Sequence, residues 1–238
     1  MAAGLLAFLI VFDVGILHPG NYQWMMDGDA TWHFLGWHFF RYGDWSWPLG
    51  VITTLDGSAK GGSIVYSDSI PLLAFPFKLL SRWLPREFQY FGLWTLLCYV
   101  LQGYFCWRIV ELFIDRAWLR IPITIVLCLS PILLVYSRQG LGAHWLVLAG
   151  LYLFLRRETK HGTGYWATIL TLAAFIHAYL LAMLLAIFVA DLVQRLRCTE
   201  NYRWAAALKS LAYAAAAVFI SLWAAGYFVV GDQIVAYG

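Results

Sequence analysis

Seven apolar blocks, at about 1–17, 89–113, 119–136, 142–156, 164–178, 179–195 and 205–230, restrict what this chain can fold into. Lipid offers no partner for backbone N–H and C=O groups, so a segment inside it must satisfy them internally. The blocks predict an all-α fold, a polytopic transmembrane helical bundle of about seven spans. Pro122 falls in the first turn of the third block, where proline is tolerated, and Pro131 inside it predicts a kink. The fourth, fifth and sixth blocks are short. The last two of these meet at His177-Ala178-Tyr179 almost without a loop, which predicts half-depth or strongly bent helices.

Composition agrees. Of 238 residues, 62% are hydrophobic and 12% charged, with a mean hydropathy of +0.71. A soluble domain carries roughly 25% charged residues to keep its surface wet. The bilayer is therefore the expected partner, and a formal charge of +3 calls for no nucleic acid. Cys98, Cys106 and Cys128 lie in apolar blocks and Cys198 beside Arg197. They have neither metal-ligand spacing nor a disulfide framework. Residues 1–17 lack a basic n-region and a cleavage site, so they read as a membrane helix rather than a signal peptide. That block is short and starts abruptly, as if residues preceded Met1.

Loop charge sets orientation. One set of connections carries Arg108, Arg116, Arg120, Arg156, Arg157, Lys160, Arg195, Arg197, Arg203 and Lys209, while the other carries Arg138 and His177. The positive-inside rule makes the first set cytoplasmic. The N-terminus is then inside, and the loop of residues 18–88 is extracytoplasmic, on the outer face of a bacterial inner membrane. That loop holds Trp24, Trp32, Trp37, Trp45 and Trp47, too apolar a set for a solvated coil. Two interfacial amphipathic helices are expected in it. One runs over Ala30–Tyr42 and stops at Gly43. The other covers 70–83, with Pro71 near its start and Lys78 and Arg82 set for lipid headgroups. Pro48-Leu49-Gly50, Asp56-Gly57-Ser58 and Gly61-Gly62 mark turns between them.

Candidate chemistry clusters in this loop. Asp27-Gly28-Asp29 is followed by His33, and Asp29 and His33 share a helix face one turn apart. Such a pair could hold a metal ion, or His33 could steer Asp29 as a base. Asp27 or Asp29 could also simply cap the helix. Asp68, before Pro71, is either a second functional acid or a cap. Asp13 is costly in hydrocarbon and should face protein or water, as part of the site or as a packing partner. Arg138 stands among glycines near His144, which suits a phosphate and equally suits headgroup snorkelling. His177 could add a phosphate contact or be a satisfied buried histidine. No Walker loop, GxGxxG, GxSxG or HExxH occurs.

These residues resemble the GT-C superfamily of polytopic glycosyltransferases, which use polyprenyl-phosphate-linked sugars. The likeness covers the first span, the long outer loop with its two helices, and the spans that follow. Asp27-Gly28-Asp29 with His33 looks like the family's acidic string after the first span, with Gly28 in place of the second acid. Asp68-Ser69-Ile70-Pro71 matches an acid placed before a proline and an interfacial helix. The strings GDATWHFLGWHFFR, YSDSIPLLAF and FQYFGLW look like a bacterial subgroup known as an uncharacterised GT-C-like domain family.

The resemblance implies a single GT-C-like module over 1–238, the N-terminal part of a longer chain. It implies transfer of a sugar from a polyprenyl-phosphate donor to a glycan, lipid or protein acceptor on the outer face. Asp29 would be the base, and Asp68 would orient the acceptor or help bind a metal. Asp27, His33, Arg138, His144 and His177 would bind substrate, with Arg138 and His177 on the leaving phosphate. A divalent metal, with Asp29 and His33 as ligands, is compatible with this scheme but not required by it. Two other classes compete: a non-enzymatic transporter or flippase for lipid-linked saccharides, and a structural membrane subunit. A transporter predicts ionisable groups spread through the depth of the spans, whereas a structural subunit predicts that Asp29, His33 and Asp68 point apart.

Overall fold

The computed structural model describes residues 1–53, 62–129, 140–156, 162–198 and 203–229. Among these residues the chain is all-α. Its helices are α1 (Ala2–Val11), α2 (Ala30–Tyr42), α3 (Pro71–Leu79), α4 (Phe91–Glu111), α5 (Ala117–Cys128), α6 (Trp145–Arg156), α7 (Gly162–Ala174), α8 (Ala178–Cys198) and α9 (Trp204–Ala225). The α4, α8 and α9 helices are long and apolar enough to cross a membrane; α1, α5 and the Gly140–Arg156 stretch are shorter apolar helices.

Local chemistry explains several helix boundaries. The first apolar block does not remain helical to residue 17. Phe12 is extended, and Asp13 Oδ1 accepts the Gly15 N–H at 2.5 Å, starting a 3-10 turn over Val14–Leu17. Asp13 is thus an exposed turn cap, not a buried member of a site. Pro122 lies inside α5 rather than in its first turn, because the helix starts at Ala117. It therefore removes one i→i−4 bond from the helix. Pro131 and the turns at Asp56-Gly57-Ser58 and Gly61 lie outside the described residues.

The two loop helices form where the sequence places them. The α2 helix ends as Gly43 N–H bonds Phe39 O, and α3 begins with Pro71 at its first turn. Proline suits that position, since its missing N–H would be an orphan there anyway. Both helices are packed into the protein. Trp37 and Phe40 of α2 are buried, and Trp37 Nε1 donates to Phe88 O at 2.9 Å. Arg41 is buried too, donating to the carbonyls of Ser81, Leu84, Pro85 and Arg86. Lys78 does not reach for headgroups. It is buried, with Nζ 4.1 Å from the Phe40 ring centroid, 4.5 Å from that of Trp45 and 3.2 Å from Asp44 O. Burial pulls its ammonium down to about 8.

The loop is latched to the far end of the bundle. Gly50 N–H donates to Ala224 O at 3.2 Å, Ser63 Oγ to Ala225 O at 3.3 Å, and Tyr66 Oη to Tyr227 O at 2.8 Å. Leu72 N–H reaches Phe175 O at 3.0 Å, on the link between α7 and α8. The segment around Asp68 is thereby held against the ends of α2, α7, α8 and α9.

Candidate functional site

Asp68 closes a 3-10 turn over Ile64–Ser67, in left-handed backbone at φ 49, and Ile70 shares that φ. A β-branched residue with φ above zero is strained, so its surroundings must hold it there. Ser69, fully buried, supplies part of the hold. Its Oγ donates to His33 O at 2.7 Å, and Tyr90 Oη donates to Ser69 O. Gly36 of α2 lets this segment approach, because a Cβ there would lie 2.0 Å from Ser67 Oγ.

The Asp68 carboxylate faces two imidazoles. His33 Nδ1 is 4.0 Å from Oδ2 and His177 Nε2 is 4.0 Å from Oδ1. Side-chain exposures of 22% for Asp68, 14% for His33 and 17% for His177 leave the cluster enclosed but reachable. Hydrogen bonds assign the tautomers. His33 Nδ1 lies 2.8 Å from Ser67 O and so carries the proton, which leaves Nε2 as an acceptor. His177 Nδ1 accepts the Tyr179 N–H at 3.1 Å, so its proton is on Nε2, facing Asp68.

Neither imidazole is close enough to hydrogen-bond the carboxylate. Burial consequently dominates and pushes Asp68 up to about 7, opposed by the Gly140 N–H that donates to it. Gly140 is required for that approach, since a Cβ there would stand 2.3 Å from Oδ1. Burial also lowers both histidines. For His33 the lowering is opposed by the Ser67 carbonyl and Asp29; for His177 it is deepened by His33. Tyr227, raised to about 12 by burial and by the Asp68 charge, accepts the Ala178 N–H beside the cluster. The arrangement is a carboxyl raised toward neutrality by burial, with the protonated Nδ1 of His33 and the protonated Nε2 of His177 each 4.0 Å from it.

The chain matches, over residues 1–238, the family described as Domain of unknown function (DUF6311). It belongs to that family. No curated protein and no solved structure matches it.

In this DUF6311 chain the expected site residues separate into groups. His33, Asp68 and His177 come together although 144 positions separate the first from the last (177 − 33). Asp27 and Asp29 stay exposed. Asp29 occupies the N-cap position of α2 without making a side-chain cap bond, so the expected cap is absent, and it acts on His33 only through its charge. His144 is half-buried just before α6, four residues past Gly140. Arg138 lies outside the described residues. Among the described residues, no group of three or more His, Cys, Asp or Glu side chains is arranged to hold a metal ion. Of the Asp29–His33 pair, Asp29 is exposed and His33 Nδ1 is engaged by Ser67 O.

Sequence reasoning missed Gly140, Tyr90 and Tyr227. Gly140 carries no motif of its own, and Tyr90 lies in the FQYFGLW string with no role attached to it. Tyr227 had one signal: it follows Gly226, whose φ of 90 closes α9 as a left-handed cap.

Proposed function

We propose that this chain is a membrane glycosyltransferase, moving a sugar from a polyprenyl-phosphate donor to an acceptor hydroxyl on the extracytoplasmic face. The observation that carries this reading is Asp68, a half-buried carboxyl set near neutrality between His33 and His177. A general base works best when its pKa lies near the working pH. Perturbed carboxyls in clefts are enriched at catalytic sites. In this reading α1, α5, α6 and α7 join the three long helices in a GT-C-like bundle of about seven spans in a bacterial inner membrane. The outer loop and the cluster then face outward.

Asp68, rather than Asp29, takes the proton of the acceptor hydroxyl. The oxygen attacks the anomeric carbon from the face opposite the phosphate, the bond from that carbon to the phosphate oxygen breaks, and the configuration inverts. The Nε2–H of His177 hydrogen-bonds the departing lipid phosphate as its charge grows. Arg138 and His144 are further proposed contacts for that phosphate. His33 holds the Ser67–Asp68 turn through its Nδ1–H bond to Ser67 O. No step is routed through a metal ion.

The test feeds a panel of polyprenyl-phosphate sugars to membranes containing the full-length protein or its Asp68→Asn variant. Transfer by the parent and a loss of about 10²–10⁴-fold in the variant is the expected result. Absence of transfer from every donor overturns the transferase reading and leaves the transporter.

A further inference from the structure

Among the described residues, Asp68 and Ile70 are the two non-glycine residues with positive φ, and they flank a single residue, Ser69. Backbone of that kind persists only where its surroundings over-determine it, and it gathers at functional sites. The surroundings that do so here act on the carbonyls either side of Asp68.

Each of those carbonyls is held by a side chain from a different helix. Ser67 O accepts from His33 Nδ1 of α2 at 2.8 Å. Ser69 O accepts from Tyr90 Oη, and Tyr90 occupies the N-cap of α4. The Ser69 hydroxyl closes the frame, donating to His33 O at 2.7 Å and lying 2.8 Å from Ser67 Oγ. Tyr90 itself is 1% exposed. Its ring stacks on Phe77 and on Phe91, with planes 10° and 24° apart, and meets Trp37 edge to face. A side chain locked by packing holds its partner where it is, rather than following it. The phenol therefore fixes Ser69 O from the start of a long apolar helix, while His33 fixes Ser67 O from α2.

We propose that Tyr90 is a positioning residue for Asp68: with His33 it clamps the carbonyls on both sides of that acid and keeps its carboxyl in the enclosed cleft. The inference deepens the transferase reading and rests on it for the reaction that Asp68 serves. The groups around the carboxyl are His33 on α2, His177 before α8, the Gly140 N–H, Tyr227 after α9 and Tyr90 itself, with Asp29 acting on His33. None of these is a fixed cation. Enclosure consequently dominates and holds the carboxyl up at about 7. Releasing Ser69 O lets the strained turn relax and water reach the carboxyl, which returns it toward its ordinary value.

The test is an infrared titration of the full-length protein in lipid, following the C=O stretch of protonated Asp68, assigned by its loss in Asp68→Asn. The midpoint, about 7 in the parent, should fall to about 6 in Tyr90→Phe, as loss of one hydrogen bond implies. Thr95→Val is the control, removing another buried hydroxyl of α4 that bonds Phe91 O at 2.9 Å and lies outside the clamp. It should lower the thermal midpoint of unfolding about as much and leave the titration at about 7. If Tyr90→Phe does not fold, Ser69→Ala, which removes the bond to His33 O, takes its place with the same expectation. In sugar transfer, kcat should fall about tenfold or more with the donor KM unchanged, since the base alone is displaced. A titration that Tyr90→Phe does not move, or that Thr95→Val moves equally, overturns the clamp. So does an unchanged kcat, or a parent Asp68 that titrates near 3.8. The titration needs no sugar donor, so the two readings fail separately. A moved midpoint without transfer from any donor removes the transferase and leaves the clamp; an unmoved midpoint with transfer intact removes the clamp alone.

Discussion

A buried and a half-buried aspartate at opposite ends of the bundle have been given opposite surroundings. Asp191 in α8 is doubly bonded through one oxygen: its Oδ2 accepts from Trp166 Nε1 at 2.7 Å and from Arg195 Nε at 2.9 Å. Asp68 has one backbone N–H and two imidazoles held 4.0 Å away. A buried charge with strong partners is locked in place. A buried carboxyl with weak partners keeps its proton available. The contrast separates an acid held by direct hydrogen bonds from one that has a single backbone donor.

The largest test of that contrast removes a partner from Asp191. Arg195→Ala leaves a buried carboxylate facing only an indole, and breaking such a pair costs about 3–5 kcal/mol. Gly162 adds to the cost, because it sits against the Arg195 guanidinium and loses its packing as well. For a domain of this size the thermal midpoint in detergent should fall by about 10 °C. An unchanged midpoint would mean that Asp191 is no better anchored than Asp68, and the comparison would fail.

Asp68 should behave in the opposite sense. Its carboxyl is raised from 3.8 to about 7 in the folded chain. Between those values the folded protein holds a proton that the unfolded one releases. Stability from this group is therefore greatest below pH 3.8 and is lost as pH rises toward 7. Asp68→Asn, neutral at every pH, should gain in thermal midpoint over the parent across that window and keep a constant advantage above it. His33 and His177 titrate in both proteins, so the difference between the two curves reports Asp68. A difference flat from pH 4 to 8 would show that the carboxyl is not perturbed.

Much of the frame could be read along the chain, because its signals are local. The bounds of α2 follow from the apolar period that ends at Gly43, and the start of α3 follows from Pro71. The first block misled because Asp13-Val14-Gly15 holds a turn signal inside an apolar run, and the side-chain bond to Gly15 ends the helix. The site was half legible. Asp68, His33 and His177 each stood out as a titratable residue at a helix end, but Asp29 stood out more. What separates the two acids is non-local: burial of Asp68 depends on Gly140, 72 positions further on (140 − 68), and on Gly36 admitting Ser67. Lys78 failed for the same reason. Nothing beside it in sequence announces that Phe40 and Trp45 will close over it.

The smallest expected effect belongs to the residue that the sequence favoured. Asp29 is exposed and reaches the cluster only through its charge on His33. Asp29→Asn should therefore change stability by no more than about 0.5 kcal/mol, as surface substitutions do. Its effect on sugar transfer should stay within about threefold, since a single exposed charge acting through solvent is worth well under 1 kcal/mol. Part of that effect should disappear at high salt, which screens an exposed charge more than a buried one. Measured beside Asp68→Asn in the same membranes, it makes the ranking of the two acids a direct observation. A hundredfold loss from Asp29→Asn, insensitive to salt, would hand the base role back to Asp29 and make Asp68 its helper.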